Sequence, residues 1–536
     1  MSTDPLALIS TRQTRQDEQA DPRQRKNRAG GYTFVQDDFA RLHRFLTLGT
    51  TGGTYYASER ELTQENAGLV LELARKHAAE VVAAVLDISL AGRAPKQDPA
   101  LFALAAAAKL GDDDGRRAAL AAVPLVARTG THLFLFAGYL QQFGGWGRGT
   151  RRAIGNWYVD PGRTVDSVAY QVLKYRQRNG WSHADLLRLS HPKTTEPERR
   201  ELFDWVHGRP ADLDGLPLLA AFERVQAATD VTEVADVIAL NRALSWEMIP
   251  DRFLNEPKVW EALLANGLPQ TALLRQLPRL TRLGLLEPLG LWARIVADQL
   301  ADATGLKKAR VHPVNVLVAQ RTYSSGHGAR GAKEWTPSQP IVDALDAAFY
   351  LAYDAVEPTG KRMLLALDVS GSMMSPVSGL PITCREASAA LALVTAATES
   401  SYEIVGFTSK GDHWKPALTR LPISPRLRLE TAIRAVSELP FGGTDCSLPM
   451  QYARRRKISV DTFVAYTDSE TWHGEIHPHQ ALQQYRREMG IDARLVVVAM
   501  TANGSTIADP SDPGMLDVSG FDSAVPGLIG DFARGI

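Results

Sequence analysis

The spacing of apolar residues along the chain changes near residue 360, which divides the sequence into two parts. Between about residues 31 and 355, apolar side chains recur at helical spacing and are bracketed by helix start and stop residues. One predicted helix begins at Asp98 and Pro99 and ends at Gly111. Another is capped by Ser182 with Asp185 and ends before residue 191. Capped helices with short loops and no strand alternation predict an all-α solenoid of helix pairs.

After residue 360 the period shortens and short buried-strand runs alternate with helical patterns. The predicted strands are Met363–Leu367, Tyr402–Phe407, Thr462–Tyr466 and Arg494–Met500, with helices that include Arg385–Thr398 and Arg426–Leu439. Such alternation is typical of a parallel sheet with helices on both faces. We therefore predict an α/β domain that begins close to residues 354–360.

The first of these strands ends in a group of oxygen-bearing side chains. Asp368, Ser370 and Ser372 alternate directly after the strand, and bound ligands of open α/β sheets lie at the carboxyl ends of the strands. A carboxylate with two hydroxyls offers the hard oxygen ligands that Mg²⁺ prefers. Segments 442–445 and 466–468 carry similar chemistry. The alternative is a Ser/Gly turn that only caps the next helix.

A basic region lies in the helical half, between residues 144 and 193. Its nine basic residues exceed its acidic residues by six, in a chain whose 60 basic and 60 acidic residues balance. Tyrosine and tryptophan side chains are interleaved with the cations, among which are Arg148 and Arg151. Lys174 and Arg178 are four apart, so we expect them to share one helix face. The region suits phosphates and unpaired bases, although a solvated surface would have the same composition.

Composition narrows the class of protein further. The chain has 536 residues, of which 45% are hydrophobic and 22% charged, which excludes a wholly disordered or fibrous protein. Cys384 and Cys446 cannot form a disulfide framework or a cysteine zinc site, which favours a reducing compartment. The longest apolar run, Ala100–Ala108, is much shorter than the roughly 18 residues of a membrane span. We expect a cytoplasmic protein.

The oxygen-bearing strand ends resemble the metal-ion-dependent adhesion site of von Willebrand factor A domains. The Asp-x-Ser-x-Ser segment, a distant Gly-Thr and a strand-end Asp share that family's spacing and strand context. The resemblance implies a divalent metal ion, with Mg²⁺ as the first candidate, held by side chains that contact it directly or through another ligand. The implied ligands are Asp368, Ser370, Ser372, Thr444 and Asp468.

The helical half resembles the TROVE module of the Ro autoantigen family. The segments that carry the likeness are 44–56, 61–66, 92–99, 174–183, 187–192, 260–264 and 271–275. A TROVE module followed by an A domain is the Ro architecture. We therefore expect a flexible tail over 1–29, a ring of HEAT-like helical repeats over 30–357 and an A domain over 358–536.

This resemblance implies an RNA-binding scaffold and not an enzyme. It implies that small noncoding Y RNAs bind the outer surface of the ring through Lys174, Arg178 and His191, and that single-stranded ends of misfolded or structured RNA enter the central hole. It also implies a 3′-to-5′ exoribonuclease partner such as polynucleotide phosphorylase, acting in RNA quality control or ribosomal RNA maturation under stress. We expect the scaffold itself to be a monomer.

Two other functions remain open from the sequence alone. One is a metal-dependent protein-binding module whose helical half is only a spacer. The other is a hydrolase that uses the strand-end metal, although no nucleophile–base pair accompanies the carboxylates. Salt separates the RNA-binding scaffold from the protein-binding module, because phosphate contacts weaken steeply with salt whereas a carboxylate–metal contact responds to a chelator.

Overall fold

The computed structural model describes most of the chain. The described residues are 13–48, 59–94, 96–309, 311, 313–328, 333–353, 358–377, 382–408, 417–439, 442–501, 504–519 and 525–535. The family-like residues 49–56 therefore lie outside the described part. The chain divides into two compact units. One unit holds residues 70–91 and 96–352, and the other holds residues 1–69, 92–95 and 353–536.

The first of these units, called the helical unit below, consists mainly of helices that pack against neighbours close in sequence. Its helices, together with α2, which begins before it, are α2 (Glu59–Lys76), α3 (Ala78–Leu90), α4 (Asp98–Leu110), α5 (Asp113–Val126), α6 (Gly130–Gln142), α7 (Arg148–Val159), α8 (Val165–Lys174), α9 (His183–Ser190), α10 (Pro197–Val206), α11 (Pro217–Ala227), α12 (Val231–Leu240), α13 (Pro257–Ala265), α14 (Gln270–Arg282), α15 (Leu291–Leu300), α16 (Ala303–Lys308), α17 (Pro313–Ser324) and α18 (Gln339–Leu351). Short 3₁₀ turns cover Trp246–Met248 and Asp251–Phe253.

Contacts along this unit link helices that are one to three apart in chain order. Helix α5 packs on α3 and α4, α7 packs on α5, and α9 packs on α7. Each helix buries one apolar face, so stacking builds a continuous core from local contacts, as in solenoids. The predicted start and stop signals hold at two places: Gly111 is the C-cap of α4, and Ser182 with Asp185 forms a capping box on α9.

The other unit, called the A-domain unit below, is built on a six-stranded sheet. Its strands and helices are β1 (Gln24–Lys26), β2 (Tyr32–Val35), α1 (Asp38–Leu48), β5 (Met363–Asp368), α19 (Cys384–Thr398), β6 (Tyr402–Phe407), β7 (Leu418–Arg420), α20 (Leu429–Ser437), α21 (Leu448–Arg456), β8 (Thr462–Thr467), α22 (Pro478–Met489), β9 (Arg494–Ala499), β10 (Ser505–Thr506), β11 (Met515–Ser519) and α23 (Val525–Arg534). The strands β3 (Gln177–Arg178) and β4 (Trp181–Ser182) belong to the helical unit.

The order of strands places a topological switch point at the middle of the sheet. The order is β11-β9-β8-β5-β6-β7, with every neighbour parallel except β7, which is antiparallel to β6. Strands β5 and β8 are buried along their whole length, as expected for a parallel sheet covered on both faces. The chain winds outward in both directions from β5, so the carboxyl ends of β5 and β8 flank the topological switch point.

The prediction of a flexible tail over residues 1–29 is wrong for residues 13–29. Strand β1 pairs with β2, and β2 pairs with β10 near the end of the chain. Gln16 and Gln24 are buried, and the Gln16 N–H donates to the Gly474 carbonyl at 2.8 Å. The segment is polar because its partners are polar loops of the A-domain unit, hundreds of residues away in sequence. Low hydrophobicity therefore does not indicate disorder here.

Candidate metal centre and nucleic-acid interface

The carboxyl ends of β5 and β8 bring two acidic side chains together. Asp368 is the last residue of β5, and Asp468 follows the last residue of β8. The parallel register aligns the two strands, and the Thr467 hydroxyl donates to Asp368 Oδ2 at 2.7 Å. Both carboxylates are buried. The strand ends thus form a narrow acidic centre inside the A-domain unit.

The two serines of the predicted set lie at this centre. The Ser370 N–H donates to Asp368 Oδ1 at 2.9 Å, which folds the loop after β5 back over the strand end. The hydroxyls of Ser370 and Ser372 are 3.0 Å apart, and that of Ser372 also bonds Asp468. Asp368, Ser370, Ser372 and Asp468 therefore lie together, as the sequence predicts.

Thr444 lies in a second loop, which contacts the loop that follows Asp468. Its carbonyl accepts the N–H groups of Trp472 and His473, both at 3.1 Å, which ties its loop to the loop that follows Asp468. The Thr444 side chain is buried, and within the described part of the chain its hydroxyl has no hydrogen-bond partner. A buried hydroxyl without a partner is costly, so this oxygen retains an unused capacity to bond.

The electrostatics of the centre favour a cation. Burial raises the pKa of Asp368. Burial, followed by the charge of Asp368, raises the pKa of Asp468 to about 7. The nearby Arg385 guanidinium donates to the carbonyls of Val369 and Ser370. Two buried carboxylates oppose each other's ionisation, and a bound cation would relieve this repulsion.

The donor set suits a hard cation. Among the described residues, no group of three or more His, Cys, Asp or Glu side chains could hold a metal ion. The donors at this centre are instead two carboxylates and the neighbouring hydroxyls. The histidines that follow β8 do not join it. His477 is buried against the N-terminal segment, where its ring meets the Gln24 amide and the Glu18 carbonyl.

In the helical unit, the predicted basic residues lie on four elements. Arg148 and Arg151 lie in the first turn of α7, exposed, while Ile154 and Trp157 of the same helix are buried. His191 is exposed at the C-cap of α9, with a left-handed φ of 46°. Helix α7 packs on α9, so these cations belong to neighbouring helices.

The prediction that Lys174 and Arg178 share a helix face is wrong. Helix α8 ends at Lys174, and Arg178 lies in strand β3 of a two-stranded hairpin. Asn179 and Gly180 form the turn, with φ values of 53° and 75°. Asn-Gly favours a two-residue hairpin turn, because both positions need positive φ. This dipeptide was the signal in the sequence that could have located the hairpin.

Lys174 and Arg178 also have different surroundings. Lys174 Nζ is half-buried, 3.3 Å from Glu247 Oε1, and it donates to the Tyr170 hydroxyl at 3.2 Å. It also lies over the rings of Tyr170 and Tyr175. Arg178 is exposed, and its guanidinium bonds the adjacent Gln177 carbonyl. The Lys174 ammonium group is therefore already paired with a carboxylate of the protein, whereas the Arg178 guanidinium is exposed to solvent.

A groove of about 860 Å³ separates this hairpin from the end of α10. The described residues that line it include Arg176, Arg178, Asn179 and Trp205, and none of them is acidic. The Trp205 Nε1–H donates to Glu223 Oε1 at 2.9 Å, which fixes the ring. Sequence reasoning missed Trp205, because it lies on another helix and carries no local signal.

His191 lies near the α10 side of this groove. Burial, together with the charges of Arg209, Arg188 and His191, lowers the pKa of His207 just after α10. Such an effect requires these cations to be near one another. The charge of Asp204 opposes these cations at His207. We call the hairpin, the end of α9 and the end of α10 together the groove surface; its residues are Arg176, Arg178, Arg188, His191 and Trp205.

The fold and these two sites define a class of protein: a helical-repeat unit joined to an A domain with an acidic strand-end centre. The TROVE domain family matches residues 25–212 and 210–325, and the Ro60 vWA domain family matches residues 362–533. The chain belongs to the Ro60 family of TROVE proteins. The resemblance and the fold class inferred from the sequence are thus confirmed.

Individual relatives agree over nearly the full length. The RNA-binding protein RO60 of Deinococcus radiodurans is 41% identical over 537 residues, 99% of each chain. The RNA-binding protein RO60 of Caenorhabditis elegans is 35% identical over 604 residues, 97% of this chain and 92% of that one. The crystal structure of the Deinococcus radiodurans Ro (Rsr) protein superposes with a TM-score of 0.73 at 40% identity, over 93% of this chain and 100% of that one.

Proposed function

We propose that this protein is an RNA-binding scaffold. The observation that carries the proposal is the groove surface, in which Arg176, Arg178 and Trp205 line a groove with no acidic residue among its described lining, and His191 is exposed at the end of α9. Relatives with the same domain order are RNA-binding proteins. Guanidinium groups bind phosphate oxygens strongly, and aromatic rings such as Trp205 stack on unpaired bases.

The RNA class that fits is a small structured noncoding RNA of the Y RNA type, together with single-stranded ends of misfolded RNA. Arg148, Arg151 and Arg178 would position the backbone, which carries affinity but little sequence information. We propose that the scaffold presents such RNAs to a 3′-to-5′ exoribonuclease such as polynucleotide phosphorylase, in cytoplasmic quality control or ribosomal RNA maturation under stress. Sequencing the RNAs that co-purify with the wild-type protein and with Arg178→Ala tests this. Loss of the same small RNAs in the variant supports the proposal, and unchanged RNA profiles contradict it.

The acidic strand-end centre fits Mg²⁺. A bound cation would offset the repulsion of the two opposed carboxylates, and it would give a partner to the buried Thr444 hydroxyl, which has none among the described residues. We propose that Asp368, Ser370, Ser372, Thr444 and Asp468 hold the ion directly or through water. The ion would supply a positive charge and an open coordination position.

Calorimetric titration with Mg²⁺ tests the metal proposal. Asp368→Ala should abolish binding and leave RNA affinity within about twofold, because RNA contacts depend on phosphate-binding cations in another unit. The matched control is Asp492→Ala in the same unit, whose side chain is 96% exposed. Wild-type affinity in Asp368→Ala would contradict the assignment.

We propose binding and no chemistry at this centre. The described side chains around the acidic pair include hydroxyls and the buried thiols of Cys384 and Cys446, and because burial raises the pKa of both thiols, neither is an activated nucleophile. Labelled RNA incubated with nuclease-free protein and Mg²⁺ should stay intact. Reproducible cleavage that disappears in Asp468→Ala would overturn this part of the proposal.

A second candidate function is metal-dependent binding of a partner protein by the A-domain unit. Two apolar side chains near the proposed ligands favour it: Met374 is 50% exposed and Trp472 is 38% exposed. Exposed large apolar groups beside a polar centre are typical of protein contacts. Capture of the exoribonuclease that is lost in chelator but retained at high salt would support this function, and capture insensitive to chelator would contradict it.

A further inference from the structure

The N-terminal segment, residues 13–31, contributes a fully buried polar side chain to the A-domain unit. Gln16 is 0% exposed. Its Nε2 donates to Asp445 Oδ1 and to the Ile476 carbonyl, both at 2.8 Å, and its Oε1 accepts from the Thr471 hydroxyl. A buried amide is costly unless it is hydrogen-bonded. These bonds reach across more than 420 residues of sequence, so they are a specific long-range contact.

The partners of Gln16 belong to the two loops that carry proposed metal ligands. Asp445 follows Thr444, and Thr471 lies three residues after Asp468. The Thr471 hydroxyl also accepts the Cys446 N–H at 3.1 Å and lies 3.2 Å from the Thr444 carbonyl oxygen. The Gln16 side chain therefore bridges the Thr444 loop and the Asp468 loop.

Other residues of the N-terminal segment reinforce this bridge. The Asn27 Nδ2 donates to the Thr471 carbonyl at 2.7 Å, and the Ala29 N–H donates to Glu470 Oε2 at 3.1 Å. The Glu470 N–H in turn donates to Asp468 Oδ1 at 3.1 Å. Glu470 therefore links the segment to a proposed ligand, because its side chain accepts from Ala29 and its backbone N–H donates to Asp468.

The approach is so close that one position admits no side chain. A Cβ added at Gly31 would lie 2.1 Å from the Thr471 carbonyl oxygen and 2.7 Å from the Trp472 Cα. Both atoms are backbone, so the segment or the loop would have to move. Gly31 thus keeps the N-terminal segment in contact with the Asp468 loop.

We infer that Gln16 is a positioning residue for the metal centre, and that the N-terminal segment fixes the two ligand loops in the geometry that binds the ion. The inference rests on the proposed Mg²⁺ site. Ligands held by rigid neighbours bind more tightly, because the loops do not have to be ordered when the ion enters. The coupling is reciprocal, so the ion should also hold the segment in place.

Two full-length variants test the inference, each checked for native circular dichroism. Gln16→Met keeps the side-chain length and removes the hydrogen bonds, whereas Gly31→Ala leaves Gln16 intact and pushes the segment away. The matched control is Gln19→Ala, whose exposed amide donates to the Pro22 and Gln24 carbonyls inside the segment.

Two measurements are made on each protein. Amide hydrogen exchange in chelator reports on the N–H groups of Cys446, Trp472 and His473, which bridge the loops. Calorimetry gives the Mg²⁺ affinity. We expect both variants to exchange these amides at least tenfold faster and to bind Mg²⁺ about tenfold more weakly, the size of effect that one lost bond to a charged group produces. Gln19→Ala should match the wild type in both.

The outcomes separate the inference from the metal proposal. Unchanged exchange in Gln16→Met and Gly31→Ala overturns the inference, whatever the metal does. Faster exchange with unchanged Mg²⁺ affinity also overturns it, because the segment would then be structural only. A wild-type protein that binds no Mg²⁺ removes the metal proposal and the positioning role together, although faster exchange would still show that Gln16 fixes the loops.

Discussion

Lys174 and Arg178 show how the surroundings of a cation decide what it can bind. Both are long, positively charged side chains, but Lys174 is paired with Glu247 and Arg178 faces the groove. A cation that is already paired releases few counterions when RNA binds, because the acidic partner must first be displaced. Of these two side chains, we therefore expect Arg178 and not Lys174 to make a new phosphate contact.

We predict that Arg178→Ala weakens binding of a structured small RNA and lowers the slope of log K against log salt by about one unit, for one lost phosphate contact. Lys174→Ala should leave that slope unchanged and lower the free energy of unfolding, since Glu247 loses its partner. Gel shifts at several salt concentrations measure the slopes. The control is Arg117→Ala, an exposed arginine of α5 paired with Asp114. Equal slope changes for Lys174→Ala and Arg178→Ala would contradict this assignment.

His183 makes the stability of the helical unit sensitive to acid. Burial lowers the pKa of its ring to about 3, and its Nδ1 lies 2.6 Å from the Tyr158 hydroxyl. The unfolded chain takes up a proton below about pH 6.5, whereas the folded protein does not until near pH 3. The stability contributed by the neutral ring is therefore present above pH 6.5 and falls as the pH falls.

Between pH 7 and pH 5, His183 alone should lower the free energy of unfolding by about 2 kcal/mol, at ~1.4 kcal/mol per pH unit below pH 6.5. His183→Gln should remove this part of the pH dependence, because a glutamine cannot be protonated. Urea unfolding at the two pH values gives the comparison. If the variant loses as much stability as the wild type, His183 is not the source.

At the scale of elements, the β3–β4 hairpin sets where Arg178 lies. Gly180 has a φ of 75°, a conformation that disfavours any residue with a Cβ. We predict that Gly180→Ala destabilises the hairpin by about 1 kcal/mol or more and lowers RNA affinity, because Arg178 is no longer held at the groove. The comparison variant is Gly68→Ala, which has open space around it in α2. Wild-type RNA affinity in Gly180→Ala would show that the hairpin does not position Arg178.

The strands of the A-domain unit could be predicted from their apolar patterns, whereas the hairpin carried only its Asn179-Gly180 turn as a local signal. Predicted runs such as Tyr402–Phe407 match their observed strand because continuous apolar residues form buried parallel strands. The spacing of Asp368, Ser370 and Ser372 indicated their common location, because one strand end carries all three. The prediction for Lys174 and Arg178 was wrong because two residues four apart share a face only if the helix continues through both. Helix α8 ends at Lys174.

At the scale of the whole molecule, contacts between distant parts of the sequence escaped prediction. Gln16 is buried by Asp445 and Thr471, and nothing in residues 1–29 indicates those partners. The polar composition of the segment suits the loops it covers, yet composition alone favours disorder. The closed ring that the family resemblance implies stays a prediction. No helix in the described part of the chain is long and apolar enough to cross a membrane.

The central claim is that the helical unit binds RNA through phosphate contacts of its exposed cations. The most direct test measures the affinity for a structured small RNA, at several salt concentrations, for the wild-type protein and the triple variant Arg148→Ala/Arg151→Ala/Arg178→Ala. We predict that the triple variant binds more weakly and that its slope of log K against log salt is smaller by about 2.7, or ~0.9 per lost contact. An unchanged affinity and slope would contradict the claim and leave the basic region as a solvated surface.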